Sequence, residues 1–465
     1  MTTYGIFSLQ NCLKLRHCAK SNSNFLRYCS NASTSPKHYD IVISGGGMIG
    51  STLACTLGKN SKLGTQRILL LESGKPTQWT VTDKFSNRVS ALNQNTYNLL
   101  NNIGAWKHIS SVRSAPVHNM QIWDAISDTV ITFNQETSSQ VVAHIVENGL
   151  LLDAVAKELS QVSNVEVRNE VKIKKYTFPQ GNSQMVTIEL ANGEILTSNL
   201  LLGCDGFNSQ VRQSMGVTFV SWKYDQKATV ATLKFSEPVK NVTAWQRFLP
   251  TGPIALLPLS ECYGSLVWCT APDVADYNSK LSEEQFVNEV NEALWKVYPS
   301  NSIIQESTKT LNKFLEWFHL PSSNRQQLPP KIVEVEEGSI ASFPLGFGHA
   351  THYVGHGVAL VGDAAHRVHP LAGQGVNLGF GDVSTLNELL GEAAYSGREI
   401  GHINDLREYE TRRQRHNVPT MIAIDGLHKL YSTDFLPVVL LRSLGLQFTN
   451  AINPLKMAFI DHAGK

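Results

Sequence analysis

The sequence predicts a two-domain α/β protein whose larger part is a Rossmann-like, dinucleotide-binding fold. Three stretches predict it. Near the start, Tyr39-Asp40-Ile41-Val42-Ile43-Ser44 runs into Gly45-Gly46-Gly47-Met48-Ile49-Gly50, an apolar strand entering G-x-G-x-x-G and then a helical pattern over 51–57. In the middle, Leu200-Leu201-Leu202 ends at Gly203-Cys204-Asp205-Gly206, and a helix begins near Ser209 and Arg212. Late in the chain, the apolar run 358–361 enters Gly362-Asp363-Ala364-Ala365-His366-Arg367. It then crosses Val368-His369-Pro370-Leu371-Ala372-Gly373-Gln374-Gly375, and helical spacing returns from Val376-Asn377.

Each stretch has a physical reading. Gly45 permits the tight turn, Gly47 lets a pyrophosphate touch the backbone, and Gly50 allows close helix–strand packing. A second strand, 67–71, ends at Glu72, about 22 residues beyond Gly50, where this fold sets a carboxylate on a ribose hydroxyl. Such an acid suits FAD or NAD and disfavours a 2′-phosphate. The late loop ends at a helix start, so its free N–H groups and helix dipole favour negative charge. Gly373 and Gly375 let that backbone approach a flat ligand.

Composition bounds the rest. With 465 residues, 42% hydrophobic and 17% charged, the chain can bury a large core. A formal net charge of +1 argues against nucleic-acid binding through bulk electrostatics. Seven cysteines without a C-x-x-C pair form neither a secreted disulfide framework nor a zinc site. No apolar run approaches the ~18 residues that span a bilayer. Residues 1–37 are basic and Ser-rich, and the first acid is Asp40, which is the profile of a mitochondrial transit peptide.

Residues 117–133 alternate like strands, and Val146-Glu147-Asn148 starts a helix with Leu150, Leu151, Ala154, Val155 and Leu159 on its apolar face. Residues 165–196 read as strands joined by turns at Gly181-Asn182 and Asn192-Gly193. The three stretches, in this order over residues 40–390, resemble the flavin-dependent aromatic hydroxylases of the p-hydroxybenzoate hydroxylase fold. The resemblance implies FAD. It implies that Asp363 holds the ribityl chain and that the loop 372–376 points amides at the flavin pyrimidine edge. It also implies that Pro370 and Leu371 lie beside the isoalloxazine. Arg88, just ahead of the helical run 95–100, is a candidate for a phosphate or the flavin edge, and Asp205 and Gly206 for the cofactor. His369 or His366 could modulate substrate ionisation, since an imidazole titrates near neutrality; a hydrogen-bonded loop histidine is the alternative.

Within that family, Tyr224-Asp225-Gln226-Lys227-Ala228, Trp245-Gln246-Arg247-Phe248-Leu249-Pro250, Gly252-Pro253-Ile254-Ala255 and the tail around Arg413-Gln414-Arg415-His416-Asn417 resemble the ubiquinone-biosynthesis branch. The leader and the insertion between Pro299 and Ser342 resemble its eukaryotic members. This implies hydroxylation of ring C5 of a polyprenylated 4-hydroxybenzoate-derived intermediate with O2, on the matrix side of the mitochondrial inner membrane, among other ubiquinone-biosynthesis proteins. The resemblance also implies a ferredoxin with its reductase as electron donor, and no second G-x-G-x-x-G is present for NADPH. The apolar strands 248–257 and 265–268 suit a greasy substrate pocket, or simply a β-domain core. A non-catalytic FAD-containing scaffold of the biosynthetic complex is the rival function. Asp363, His366 and His369, or His349, His352 and His356, could be drawn as metal ligands, but that would leave the dinucleotide fingerprint without a role, so no metal is expected.

The predicted architecture is therefore a Rossmann-like FAD-binding domain from 39–116, 146–217 and 347–431, with a β-sheet substrate domain from 117–145 and 218–346. A C-terminal helical segment, 432–465, completes it. The long helical pattern 406–431 is expected to break or kink at Pro419. The apolar, mildly basic end that follows could lie on a membrane surface or a partner, or cover the FAD domain.

Overall fold

The computed structural model describes residues 36–451 apart from 77–78, 128, 135–140, 180–184, 299–309, 311–316, 318–326 and 434. The leader lies outside the described residues except at its end. There Lys37, counted with the leader on sequence grounds, is the first residue of a strand and pairs with Glu166.

In chain order the first half comprises β1 (Lys37–Ser44), α1 (Met48–Lys59), β2 (Ile68–Leu71), β3 (Val89–Leu92), α2 (Gln94–Asn102), α3 (Ala105–Ser110), β4 (Ala115–Val117), β5 (Asn119–Asp124), β6 (Val130–Asn134), β7 (Ala143–Glu147) and α4 (Asn148–Leu159). There follow β8 (Val165–Arg168), β9 (Ile173–Thr177), β10 (Val186–Leu190), β11 (Ile195–Gly203), α5 (Gln210–Met215), β12 (Phe219–Phe235), β13 (Thr243–Leu249), β14 (Gly252–Pro258), β15 (Tyr263–Thr270), α6 (Pro272–Asn278) and α7 (Glu283–Trp295). The remainder is β16 (Ile332–Val335), β17 (Ala341–Ala350), β18 (Val354–Gly355), β19 (Val358–Leu360), β20 (His366–Arg367), α8 (Gly375–Tyr395), α9 (Ile403–Tyr431) and α10 (Leu436–Ala451).

The first sheet runs β18-β19-β11-β1-β2-β8, with β10 beside β11 and β9 beside β10. From β19 to β8 every neighbour is parallel. Ile41, Val42, Ile43, Leu69 and Leu200 to Leu202 are all buried. That is why these strands read as unbroken apolar runs: helices cover a parallel sheet on both faces, so no alternation remains. Helix α1 packs between α4 and α8. The carboxyl ends stay in step beyond the ladder: Gly45 N–H donates to Leu71 O (2.8 Å), Cys204 N–H to Ser44 O (2.8 Å) and Val361 N–H to Gly203 O (3.0 Å). Three chain segments far apart in sequence thus end side by side, where open α/β sheets bind ligands.

The second sheet runs β20-β17-β12-β15-β14-β13-β5-β6, with β16 on β12. Trp123, Trp245, Ile254, Leu256, Leu266 and Trp268 lie on one face and bury Phe286, Val290 and Leu294 of α7. On that face Arg247 donates to Ala293 O (3.0 Å) and Lys296 O (2.6 Å), closing the last turn of α7. The opposite face meets the late loop and a small sheet, β3-β7-β4.

The C-terminal region departs from expectation in one respect, the unbroken helix at Pro419. Helix α9 is not broken at Pro419 but runs through it. Leu406, Tyr409, Arg413, Asn417, Met421 and Ile424 bury one helical stripe on both sides of the proline, and that packing outweighs one lost backbone hydrogen bond. Helix α10 does not cover the first sheet. It packs on β6 and α9, and Arg442, its one charged residue, is buried with both guanidinium contacts to Asp124 of β5 at 3.1 Å. Phe435 and Leu441 stay exposed on the outside. No helix among the described residues is long and apolar enough to cross a membrane.

Candidate cofactor cleft and substrate slot

At the carboxyl end of β1, Gly45 adopts φ +105°, and a Cβ there would sit 2.4 Å from Cys204 O. A Cβ on Gly50 would fall 1.8 Å from Gly45 O. These two glycines let loop, helix and neighbouring strand touch. Gly47 differs, since a Cβ there would meet no protein atom within 4 Å. It opens onto the cleft at the start of α1, whose first turn has no acid and no side-chain cap. Glu72 closes the other side of this loop. Its Oε2 accepts from Gly46 N (2.5 Å) and its Oε1 from Gly74 N (2.6 Å). Oε1 also accepts from Ser73 Oγ (3.3 Å), while Oε2 keeps a further acceptor site for a ribose hydroxyl.

Across the cleft stand Asp205 and Asp363. Asp205 caps Val211 N with one oxygen (3.1 Å), and its other oxygen is buried without a partner. Gly206 follows at φ +76° with open space where a Cβ would project. Asp363 is crowded by protein yet exposed toward the cleft. The crowding raises its pKa, against the pull of His366 and Arg367. Helix α8 then begins at Gly375 after the N-cap Gln374, again with no side-chain cap and no acid in its first turn. Two helix starts with free N–H groups, two acids and a glycine opened to the cleft fit FAD. Helix α1 could take the pyrophosphate, Glu72 the adenosine ribose, Asp363 the ribityl chain and α8 the flavin edge.

The late loop is braced from behind by a buried network that sequence reading missed. Asp382, on α8, accepts from Gly362 N (2.9 Å) and His366 Nε2 (2.7 Å) through Oδ2, and from Arg413 Nε (2.7 Å) through Oδ1. Arg413 also donates to Asn417 Oδ1 (2.8 Å) and Leu378 O (3.0 Å). Burial alone would raise the pKa of Asp382, but His366, Arg413 and the Gly362 N–H hold it near 2. The available signal was an aspartate on the apolar face of a helix, one turn from both Leu378 and Leu386. Arg212 serves the same end. It donates to Ala364 O (2.8 Å) and Phe207 O (2.6 Å), so its guanidinium ties the central segment to the late loop.

Several predicted site residues act in ways the sequence did not distinguish. The side chain of Asn377 is spent on the scaffold. Its Nδ2 donates to Ala91 O (2.9 Å) and Gly373 O (3.2 Å), and its Oδ1 accepts from Thr96 Oγ1 (2.8 Å) and Asn93 N (3.2 Å). Only its backbone N–H, like that of Val376, is left for a cofactor. Gly373 takes φ +58° and lies against Ala91 of β3. Arg88 is exposed at the entrance to that strand. Asp363→Ala is expected to lower FAD content at least tenfold (about 1.4 kcal/mol per decade). Gly375→Val, beside Val368 at 3.6 Å, should leave more FAD bound but depress turnover. Flavin absorbance per protein and product formation check both, and two variants indistinguishable from wild type would remove these roles.

His369 is fully buried and hydrogen-bonded. Its Nδ1 accepts from Leu371 N (3.2 Å), so Nε2 carries the proton and donates to Gln226 Oε1 (3.3 Å). His428 Nε2 donates to the same oxygen (3.0 Å), and Tyr224 packs on both imidazoles and donates to Asp425 (3.0 Å). A bulge in β12, where Asp225 takes φ +50°, turns Tyr224 and Gln226 toward this loop. Burial and the neighbouring His428 push the pKa of His369 down from 6.5 to about 3. The folded pKa is depressed, so its contribution to stability is present above pH 6.5 and drains away as pH falls toward 3. FAD release should therefore rise as pH falls below 6.5, and His369→Asn should flatten that slope. Flavin fluorescence against pH would show it; an unchanged slope would contradict it.

Next to His369, Leu371 packs with Phe248, Ile424 and Tyr431. The Phe248 and Tyr431 rings stack at 3.7 Å. Phe248 is on the inner face of the second sheet, opposite the α7 face. Four residues back along β13, Ala244, with Met120 beside it on the same face, packs under the small sheet. Between these covered ends the row of Gln246, Ala255 and Val267 stays half-buried. These three residues floor a slot that is bounded at one end by Leu371.

Comparison with known proteins follows this geometry. A family model described as an FAD binding domain matches residues 38–318 and 303–421. The chain is 46% identical over 443 residues to the zebrafish (Danio rerio) ubiquinone biosynthesis monooxygenase COQ6, mitochondrial, covering 94% of this chain and 92% of that protein. It is 45% identical to the human protein of the same name over 446 residues, covering 94% and 95%. Among solved structures, p-nitrophenol 4-monooxygenase PnpA from Pseudomonas putida DLL-E4 superposes with TM-score 0.67 at 17% identity, covering 92% of this chain and 99% of that one. PqsL, a probable FAD-dependent monooxygenase from Pseudomonas aeruginosa, gives 0.64 at 18%, covering 88% and 99%. The cleft, the matched FAD binding domain and the near full-length identity agree, and the chain belongs to the COQ6 family of FAD-dependent ubiquinone-biosynthesis monooxygenases.

Proposed function

We propose that this monooxygenase hydroxylates ring C5 of a polyprenylated 4-hydroxybenzoate-derived intermediate, in mitochondria, at the matrix face of the inner membrane. The observation that carries the reading is the half-buried apolar slot beside Leu371, in a chain so similar to proteins named for ubiquinone biosynthesis. Bound FAD, once reduced, supplies the reaction with dioxygen that puts one oxygen atom on an electron-rich ring. The chain's own residues do the rest. Helix α8 offers its positive end to the flavin edge, where reduction places negative charge. Phe248, Leu371, Ile424 and Tyr431 keep water from one end of the slot. His369 stays neutral, because Leu371 N–H and Gln226 occupy both ring nitrogens, and so holds the loop rather than exchanging a proton.

Electrons come, in this reading, from a ferredoxin and its reductase, and the exposed Phe435, just before α10, and Leu441 on it rest on the membrane or on other proteins of the pathway. The experiment is a single turnover. The flavin is reduced anaerobically with NADPH alone or with a ferredoxin system, then oxygen and a prenylated 4-hydroxybenzoate are admitted. A ring-hydroxylated product with oxygen at C5 is expected with the ferredoxin system. No product under either donor would favour a scaffold, and rapid bleaching by NADPH alone would remove the obligatory protein donor.

A further inference from the structure

One position in the slot carries hydrogen-bonding groups with nothing in the protein to bind. Register across the second sheet aligns Ile122, Gln246, Ala255, Val267 and Val230 in one row of the inner face. Gln246 is the only member with a polar side chain. It is half-buried, and its amide makes no hydrogen bond among the described residues. The other glutamine turned to this side, Gln226, has its carbonyl oxygen taken by His369 and His428. The amide of Gln246 is not among the buried polar atoms, so solvent reaches it, and a ligand entering the slot can take the place of water there. The flanking rows are closed, one under the small sheet and one under Leu371 and Tyr431. Phe248 lies only two residues along the strand, about 7 Å away, and Ile122, beside Gln246, packs in the cluster of Leu371. The unpartnered amide therefore faces the slot at the distance of one aromatic ring from the loop that borders the cofactor cleft.

We propose that Gln246 is a specificity-determining residue that binds the ring oxygen of the phenolic substrate. This rests on the slot being the ring site. The amide suits both ionisation states, since its NH2 donates to a phenolate and its carbonyl accepts from a phenol O–H. Anchoring the ring oxygen at Gln246 fixes which ring carbon is presented toward Leu371, while Ala255 and Val267 leave room for the ring plane.

The test titrates the holoenzyme with 3-farnesyl-4-hydroxybenzoate and with 3-farnesylbenzoate, which lacks the ring hydroxyl, following the flavin absorbance change on binding. Wild type should prefer the hydroxylated ligand by about tenfold or more. Gln246→Met keeps the side-chain length and removes both amide atoms, so the ratio should fall toward one through weaker binding of the hydroxylated ligand alone. Gln246→Leu serves as a second variant, and FAD content is measured for each. A ratio unchanged in the variants, with wild type still hydroxylating its ring, overturns the role of Gln246 alone. Failure of wild type to bind either ligand overturns the ring-site reading and this inference together.

Discussion

Asp382→Ala should cost about 3–5 kcal/mol of stability and leave the protein almost free of FAD. The magnitude follows from removing one partner of a buried charge network, which strands the others without compensation. His366, Arg413 and the Gly362 N–H all lose their acceptor, and Asp363 sits on the next residue of the freed turn. Asp382→Asn keeps the shape and should fall between. Because its pKa is held near 2, the stability due to Asp382 is present above about pH 4 and lost as pH falls through 2, so wild type and Asp382→Asn should converge in acid. Thermal melts across pH, with flavin content on the same samples, measure this. An Asp382→Ala protein that melts as wild type does and keeps its flavin would refute the bracing role.

Gly50→Ala and Gly47→Ala should separate packing from ligand approach. At Gly50 the new Cβ would lie 1.8 Å from the carbonyl oxygen of Gly45, and backbone cannot yield cheaply. A loss of about 3 kcal/mol or more is expected, with or without cofactor. At Gly47 the new Cβ meets no protein atom, so the melt of the FAD-free protein should move by less than about 1 kcal/mol, the scale of an N-cap change. FAD affinity should nevertheless fall at least tenfold, roughly 1.4 kcal/mol, because the methyl projects where the pyrophosphate is assigned. Parallel melts of FAD-free and FAD-loaded protein give both quantities. Equal damage to the FAD-free state at both positions would mean that Gly47 is a packing glycine too.

Much of this was legible because it is local. A buried parallel strand must be apolar throughout, and a turn at φ +105° needs glycine, so β1 with Gly45, β2 with Glu72 and β11 with Asp205 announce themselves. The proline at 419 pointed to a break or a kink, and the break does not occur. Its local effect is real, but a long buried stripe on α9 overrides it.

What the sequence by itself determined, then, is the Rossmann-like framework and its dinucleotide site, since each rests on spacing within a few residues, whereas FAD followed from the family resemblance. Only the tertiary structure decided what supports and completes the site. The bracing of the late loop joins Gly362, Asp382 and Arg413 across two helices and a strand end. The bulge at Asp225 aims Gln226 at His369 from a strand position 143 residues earlier in the chain. The half-open row at Gln246 exists because two distant segments, β3 to β7 and α9, cover the rows beside it and leave Gln246, Ala255 and Val267 only half-buried. Pair contacts and uncovered surface are properties of what arrives from elsewhere in the chain, and no local pattern encodes them.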